Sequence, residues 1–378
     1  MSVSSSVGIG IVGCGRIADL QCQGYLGNPA ARIVATCDVD GELAERRRRQ
    51  WNAETAYTHL NDLLNDDRVD AIEILTPHDV HAEQAIAALA AGKHVSLQKP
   101  PARSLAEFDR IAGAAAASGR VVRVFENFAH YPPHIKAREL IESGAIGTPL
   151  SIRIKTALGR PSDGWSVPMQ AQAWRVDRGR CGGGALTFDH GYHCFHMGQF
   201  LVPCGIERVH AFIHWSQLGD GAWLDGPSLI TWKYEGETPV RYGSWETITS
   251  IGMRIRSNYY VSDDRIEVHG SEGILWVNRC TGKLLEEPSV VVYRDGETRA
   301  FHDLETDWAA SFRLGAQDFV ACLLEGRPPS QTLVQARKTL CVALAAGLSA
   351  DEGREVAIAE IGNFAPAPAP VCETSTRR

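Results

Sequence analysis

Lys99, Asp189 and His193 carry side chains that can bind or move a proton. Lys99 follows the apolar run from His94 and precedes two prolines, so we expect it at the carboxyl end of a parallel strand, where open α/β sheets bind ligands. A lysine there can be partly desolvated, which lowers its pKa and lets it exchange a proton with a substrate hydroxyl. Alternatively, Lys99 is an ordinary surface lysine.

Asp189 and His193 are four residues apart, so on one helix they share a face. Gly182-Gly183-Gly184 precedes them and is flexible enough to approach a ligand. The histidine is a plausible general base, and the carboxylate can orient it or hold a neighbouring hydroxyl. Alternatively, the two residues form a structural pair.

A metal site is a further alternative, because His190, His193 and His196 follow one another at intervals of three. No cysteine or carboxylate pattern completes a zinc ligand set there. We therefore predict no metal.

A glycine-rich turn follows the first apolar run and precedes a helix that we expect from about Arg16. Gly13-Cys14-Gly15-Arg16-Ile17-Ala18 fits the pattern in which two glycines let a pyrophosphate approach the backbone at a helix N-terminus. Asp38 follows the second apolar run, where a carboxylate binds the ribose hydroxyls of NAD and repels the 2′-phosphate of NADP. Alternatively, Asp38 caps the strand. The run Arg46–Arg49 favours a solvated helix face over a patch for that phosphate.

The pattern of predicted strands and helices that must position these residues changes near residue 127. Before it, short apolar runs alternate with helix-length segments, which predicts a parallel sheet with helical crossovers. After it come a helix at 133–143, a strand at 149–157 and a helix at 185–201. Strand-like runs then dominate to about residue 301, which favours a mostly antiparallel sheet, and two helices follow. The Ala-Pro repeats near the end predict a disordered tail over 363–378.

The composition narrows the class of protein. The chain has 378 residues, 44% of them hydrophobic, and a formal net charge of −7. A two-domain globular protein fits these values, and the negative charge argues against nucleic acid as a partner. The ten cysteines form no disulfide or zinc spacing, and the sequence carries no recognisable leader or membrane span, so we expect a cytoplasmic location without membrane association.

With these motifs in order, the sequence resembles the Gfo/Idh/MocA family, named for glucose-fructose oxidoreductase, inositol dehydrogenase and a rhizopine catabolism protein. The resemblance covers about residues 7–362. It rests on the glycine turn, on Thr76-Pro77-His78-Asp79-Val80-His81, on Gln98-Lys99-Pro100 and on the segment from Gly182 to His193.

The resemblance implies an α/β protein with a Rossmann dinucleotide-binding domain at 1–127. It also implies an α/β domain at 128–362 with a large, mostly antiparallel open sheet that binds substrate and joins a homodimer or homotetramer. The family's catalytic lysine, substrate-binding aspartate and catalytic histidine correspond to Lys99, Asp189 and His193. Two departures concern the subgroup: Gln98 replaces a glutamate, which leaves Lys99 without an adjacent carboxylate, and His78 replaces an asparagine.

Two sets of candidate contacts follow. The cofactor set is Gly13, Gly15, Arg16, Ile17, Asp38, Thr76, Pro77, His78, His81, Gln98 and Lys99. The substrate set is Lys99, Asn127, Trp165, Trp174, Arg175, Asp189 and His193. Tryptophans suit the apolar faces of sugar rings, although most tryptophans pack in a core or a subunit interface.

The main hypothesis is an NAD(P)-dependent oxidoreductase, with NAD preferred, that acts on a secondary alcohol of a sugar, cyclitol or glycoside. Lys99 and His193 would form a proton relay and Asp189 would position the substrate. One alternative enzyme keeps NAD tightly bound and recycles it, as in sugar–sugar oxidoreduction or redox-assisted glycoside cleavage. Another alternative is a dinucleotide-binding sensor without catalysis.

Overall fold

A computed structural model gives the fold of residues 6–161, 164, 165, 167, 169–219 and 222–363. The predicted disordered tail lies outside the described residues from position 364 onward.

The amino-terminal third of the chain forms a six-stranded parallel sheet in the order β3-β2-β1-β4-β5-β6. Its strands are β1 (Val7–Val12), β2 (Ala31–Cys37), β3 (Thr55–Tyr57), β4 (Ala71–Ile74), β5 (His94–Gln98) and β6 (Val122–Phe125). Every residue of β1 is buried, as expected for a parallel strand covered on both faces. This strand order is that of the Rossmann fold, whose ligand crevice lies at the carboxyl ends of the strands where the order reverses.

Helices connect these strands. The structure corrects the prediction for the start of the first helix and for the exposure of the arginine run on the second. The helices are α1 (Ala18–Gln21), α2 (Gly41–Gln50), α3 (Leu60–Leu64), α4 (His81–Ala90) and α5 (Leu105–Ser118). The first begins at Ala18 rather than Arg16 and is followed by a 3-10 turn. The arginine run lies on α2, but Arg47 is buried and donates to the Cys14 carbonyl and to Asp19, so this residue is not part of a solvated face.

The carboxyl-terminal half contains a nine-stranded sheet in the order β14-β13-β12-β11-β7-β10-β9-β8-β15. Its strands are β7 (Pro149–Pro161), β8 (Ile206–Gly219), β9 (Ala222–Tyr234), β10 (Tyr242–Ile255), β11 (Ser262–Gly270), β12 (Gly273–Val277), β13 (Val290–Arg294), β14 (Glu297–Phe301) and β15 (Val356–Ala357). Only β7 and β10 pair in parallel, and the other described neighbours are antiparallel. The predicted α/β fold with two such sheets is confirmed.

The helices of this half are α6 (Pro132–Glu142), α7 (Met169–Val176), α8 (Arg178–Cys181), α9 (Gly191–Leu201), α10 (Ala309–Glu325) and α11 (Leu333–Glu352). Helix α11 packs on β8 and α9, whereas α10 packs against the first sheet, where Ala316, Phe319 and Val320 join the apolar cluster around β1. A segment outside the predicted range 1–127 thus completes the core of the Rossmann unit, and the domain boundary stays a prediction.

One face of the large sheet carries exposed apolar side chains. Phe212 is 64% exposed and pairs with Leu229 on the neighbouring strand, and Tyr242 is 58% exposed. The homodimer or homotetramer expected through this sheet stays a prediction. Across the described residues, we find no helix with both the length and the apolar character required to cross a bilayer.

Candidate active site

A cleft of about 390 Å³, partly open to solvent, lies at the carboxyl ends of the Rossmann strands and extends to α7, α9 and the large sheet. It is lined by ten of the predicted site residues, Ile17, Thr76, His78, Gln98, Lys99, Asn127, Trp174, Arg175, Asp189 and His193. Residues far apart in the sequence are therefore brought together on one surface.

The glycine turn after β1 has the geometry of a phosphate-binding turn. Gly13 has a φ of +90°, and a Cβ there would come within 2.8 Å of the Leu75 backbone. Gly15 has no neighbouring atom within 4 Å of its Cβ position, so the backbone is open to an approaching group. Asp38 accepts a hydrogen bond from the Cys14 amide at 2.8 Å. These features fit a dinucleotide pyrophosphate, with a carboxylate at the ribose end.

Lys99 and Asp189 form a buried ion pair at the centre of the cleft. Lys99 Nζ lies 2.6 Å from Asp189 Oδ1 and 2.9 Å from the Asp189 backbone oxygen, and Arg175 Nε lies 3.0 Å from Oδ2. Burial would raise the pKa of Asp189, but Lys99 and Arg175 outweigh it and hold this pKa well below its ordinary range. Asp189 thus provides the carboxylate for Lys99 that position 98 lacks.

His193 pairs with a carboxyl group that the sequence reasoning missed. Its Nδ1 lies 2.5 Å from Oε1 of Glu126, and its ring stacks on Phe128 with centroids 4.2 Å apart and planes 5° apart. Burial, together with Lys99 and His190, lowers the pKa of His193 well below its ordinary value. Glu126 directly follows β6, so the rule that led to Lys99 at the end of β5 would also have found it.

A π-helical turn at Ala185–His190 leads into α9 and orients Asp189. Asp225 holds the start of this turn by accepting from the backbone amides of Leu186 at 2.8 Å and Thr187 at 2.5 Å. Gly184 has no room for a side chain, because a Cβ would lie 1.7 Å from Asp225 Oδ2. Gly184 therefore serves close packing on Asp225.

Several predicted residues lie outside the cleft lining. The imidazole of His81 is buried between the backbone oxygens of Thr76, at 2.8 Å, and Pro100, at 3.0 Å, so it joins two loops. Trp165 packs edge-on against Tyr259 and Tyr260, with the guanidinium of Arg16 above its ring. Pro77 immediately precedes the 3-10 turn that begins at His78.

His78 lies in the cleft beside the ion pair. Its Nδ1 contacts the Cys181 backbone oxygen at 2.8 Å, and its Nε2 lies 3.7 Å from Asp189 Oδ1. Burial lowers the pKa of His78 to about 3, so its ring is neutral.

The three histidines considered for a metal have different partners. His193 contacts Glu126, His196 contacts Gln331, and His190 contacts Asp264 at 3.0 Å. His190, Cys194 and Asp264 place one potential ligand atom each within 4.8 Å of one another. Asp264 Oδ1 already accepts from His190 and from Thr156 at 2.5 Å, so hydrogen bonds account for this group.

A Rossmann sheet with an open phosphate turn, next to a cleft that contains a lysine and a histidine, is the arrangement of a dinucleotide-dependent oxidoreductase. Comparison with known proteins gives the particular family. The family model of an oxidoreductase with an NAD-binding Rossmann fold matches residues 7–126, and that of the GFO/IDH/MocA C-terminal domain matches residues 134–276. The chain belongs to the Gfo/Idh/MocA family of oxidoreductases. This finding confirms the predicted family and the prediction that the protein is an oxidoreductase.

Two inositol dehydrogenases match over almost their whole length. Myo-inositol 2-dehydrogenase of Thermotoga maritima is 24% identical over 359 residues, 93% of this chain and 99% of that protein. Inositol 2-dehydrogenase of Rhizobium meliloti is 27% identical over 366 residues, 94% of this chain and 100% of that protein. The solved structure of a levoglucosan dehydrogenase with NADH and levoglucosan has a TM-score of 0.78 at 22% identity, covering 94% of this chain and 100% of that chain. This likeness shows the shared fold.

Proposed function

We propose that the protein is an NAD-dependent dehydrogenase that oxidises a secondary alcohol of a sugar, cyclitol or glycoside. The observation that carries the proposal is the convergence of Lys99, Asp189 and His193 on one cleft that begins at the phosphate turn. The names of the relatives, two inositol dehydrogenases and a levoglucosan dehydrogenase, support this substrate class.

The roles of the residues follow from their partners. NAD, when bound, supplies the acceptor for a hydride from the carbinol carbon. Lys99 and His193 are the two groups that can take part in transfer of the hydroxyl proton, since both line the cleft and can hold a proton. Asp189 holds the ammonium of Lys99 and the guanidinium of Arg175, so it positions the substrate by positioning the cations that contact it.

Polar and aromatic side chains complete the substrate site. The Asn127 amide donates to Ser311 Oγ at 2.9 Å, which fixes the orientation of a side chain that lines the cleft. Trp174 lies under the Arg175 guanidinium and edge-on to His78, so its ring is held rigidly. An aromatic ring beside several hydrogen-bonding groups suits a polyhydroxylated ring with an apolar face.

The test of this function is a panel of sugars, cyclitols and glycosides, assayed for reduction of NAD and, in parallel, of NADP. We expect NAD reduction with at least one cyclitol or pyranoside. Turnover without added NAD, with cofactor released only on denaturation, would instead favour the recycling enzyme. Tight NADH binding with no turnover of any compound would favour the sensor and contradict the proposal.

We propose that Asp38 gives NAD its preference over NADP. Arg47 is bound to Asp19, and Arg48 and Arg49 pair with Glu45, so three of the four arginines of the run are already engaged. Asp38→Asn keeps the size of the side chain and removes its charge. We expect the ratio of kcat/KM for NAD to that for NADP to fall about 10- to 100-fold. The fall is expected because the variant loses a charged hydrogen bond to the ribose of NAD and no longer repels the 2′-phosphate of NADP.

The matched control for this change is Asp67→Asn, since Asp67 is an exposed carboxylate of the same domain. It should leave the ratio unchanged. An unchanged ratio in Asp38→Asn would show that Asp38 does not discriminate between the ribose of NAD and that of NADP. Asp38 would then be a strand-end cap that binds the Cys14 amide.

A further inference from the structure

Glu126 is fixed from several sides behind His193. Its backbone amide donates to Gln331 Oε1 at 2.7 Å, and Gln331 Nε2 donates to its backbone oxygen at 3.3 Å. The side chain is buried, and its Oε1 accepts from the Phe128 amide at 3.0 Å. The carboxyl group therefore has one defined orientation toward His193.

This orientation and the charge of Glu126 together favour one tautomer of His193. Oε1 of Glu126 accepts from Phe128 N–H and lies 2.5 Å from His193 Nδ1, so as a carboxylate it accepts a second hydrogen bond, from the proton on Nδ1. The stacking of the ring on Phe128 prevents it from turning away. Nε2 is then the unprotonated nitrogen of a side chain that lines the cleft.

Lys99 is a hydrogen-bond donor in this cleft, whereas Nε2 of His193 is an acceptor. Its Nζ donates both to the carboxylate and to the backbone oxygen of Asp189, at 2.6 and 2.9 Å. An ammonium group suits two acceptors of which one is charged, whereas a neutral amine would gain less from them.

We propose that Glu126 is the positioning residue that makes His193, rather than Lys99, the base of the reaction, an inference that rests on the proposed function. The hydroxyl O–H bond breaks and its proton bonds to His193 Nε2. NAD, when bound, would accept the hydride of the carbinol carbon as the C–O bond becomes a carbonyl. The resulting imidazolium keeps the proton on Nδ1, which is hydrogen-bonded to Glu126. It releases the Nε2 proton to solvent after the product leaves.

Electrostatics agree with this assignment. Burial lowers the pKa of His193, and Lys99 and His190 lower it further, so the ring is neutral before the reaction. Burial raises the pKa of Glu126, whereas the charges of His196 and Lys99 oppose this rise and favour the carboxylate that accepts from Nδ1. Other titratable groups also interact with the pair. They are Lys99, Asp189, His190, His196 and Asp264, together with His130, His134, Tyr192 and Cys194, which interact with Glu126.

The test separates the two properties of Glu126. Glu126→Gln keeps a carbonyl oxygen that can accept from Nδ1 but cannot balance a charge, whereas Glu126→Leu removes both properties. Histidine nitrogen NMR of the protein without substrate reports the tautomer, and the His193→Asn spectrum identifies the signals of His193. Steady-state kinetics with a substrate from the panel report turnover.

We expect the Nδ1–H tautomer in the native protein and in Glu126→Gln, and its loss in Glu126→Leu. Turnover of Glu126→Gln should fall about 10²-fold with KM nearly unchanged, because the imidazolium loses its counter-charge. Glu73→Gln is the matched control: Glu73 is an equally buried carboxyl outside the cleft, so its loss should alter stability but leave the tautomer of His193 and the turnover nearly unchanged.

Two results would overturn the proposal: an Nε2–H tautomer of His193 in the native protein, or native turnover in Glu126→Gln. Failure of the proposed function is distinguishable from these results. In that case the tautomer is as expected, but no compound of the panel is turned over.

Discussion

Lys99→Met should lower turnover about 10²-fold or more while the affinity for NAD stays within a few-fold, because the change removes a charged group from the reacting centre and leaves the phosphate turn intact. Methionine has a similar length and fills the space of the lysine stem. Asp189 then keeps Arg175, at 3.0 Å, as its cationic partner, so we expect the fold to survive. The measurements are kcat and KM for a substrate from the panel, together with NADH binding.

Lys99→Arg distinguishes charge from proton transfer. Arginine restores a cation beside Asp189 but stays protonated at any accessible pH. Turnover near the native value in Lys99→Arg would mean that Lys99 acts by its charge, as expected if His193 is the base. Lys155→Met is the matched control, because Lys155 lies exposed on β7. Native turnover in Lys99→Met would remove Lys99 from the mechanism.

Local patterns in the sequence were sufficient to predict the Rossmann half. An apolar strand followed by Gly13 and Gly15 has few structural solutions, and the alternation of strands and helices constrains the crossovers to one hand. Lys99 could be predicted to line a ligand site because the carboxyl end of a parallel strand is a property of the topology.

The partners of the site residues could not be predicted in the same way. Glu126 and His193 are 67 residues apart, and Lys99 and Asp189 are 90 apart, so their pairing depends on how the two sheets pack. The expectation that Asp189 orients His193 assumed a regular α-helix. The π-helical turn that ends at His190 changes the register before α9, and Asp189 contacts Lys99 and Arg175 while His193 contacts Glu126.

Patterns of charged residues predicted the exposure of individual side chains poorly. Four consecutive arginines indicate a solvated helix face, yet Arg47 is buried against the phosphate turn. A buried arginine needs a carboxylate and a carbonyl, and Asp19 and the Cys14 backbone oxygen supply them from a different helix and loop. Sequence alone cannot show which of four neighbouring arginines has such partners.

His193→Asn should also lower turnover about 10²-fold or more, because asparagine offers no nitrogen that can accept the hydroxyl proton. The pH profile gives a second readout. Since the pKa of His193 lies well below its ordinary value of about 6.5, native turnover should persist as the pH falls past that value and decline only at lower pH. In His193→Asn this acidic decline should disappear.

The control is His59→Asn, since His59 is exposed at the start of α3 and its side chain makes no capping hydrogen bond. Lys99→Met combined with His193→Asn adds a sharper test, because residues of one proton network are not additive. If the two residues act on the same proton, the double variant should be little slower than the slower single variant. Fully multiplicative losses would instead mean that Lys99 and His193 act in separate steps, and native turnover in His193→Asn would exclude it as the base.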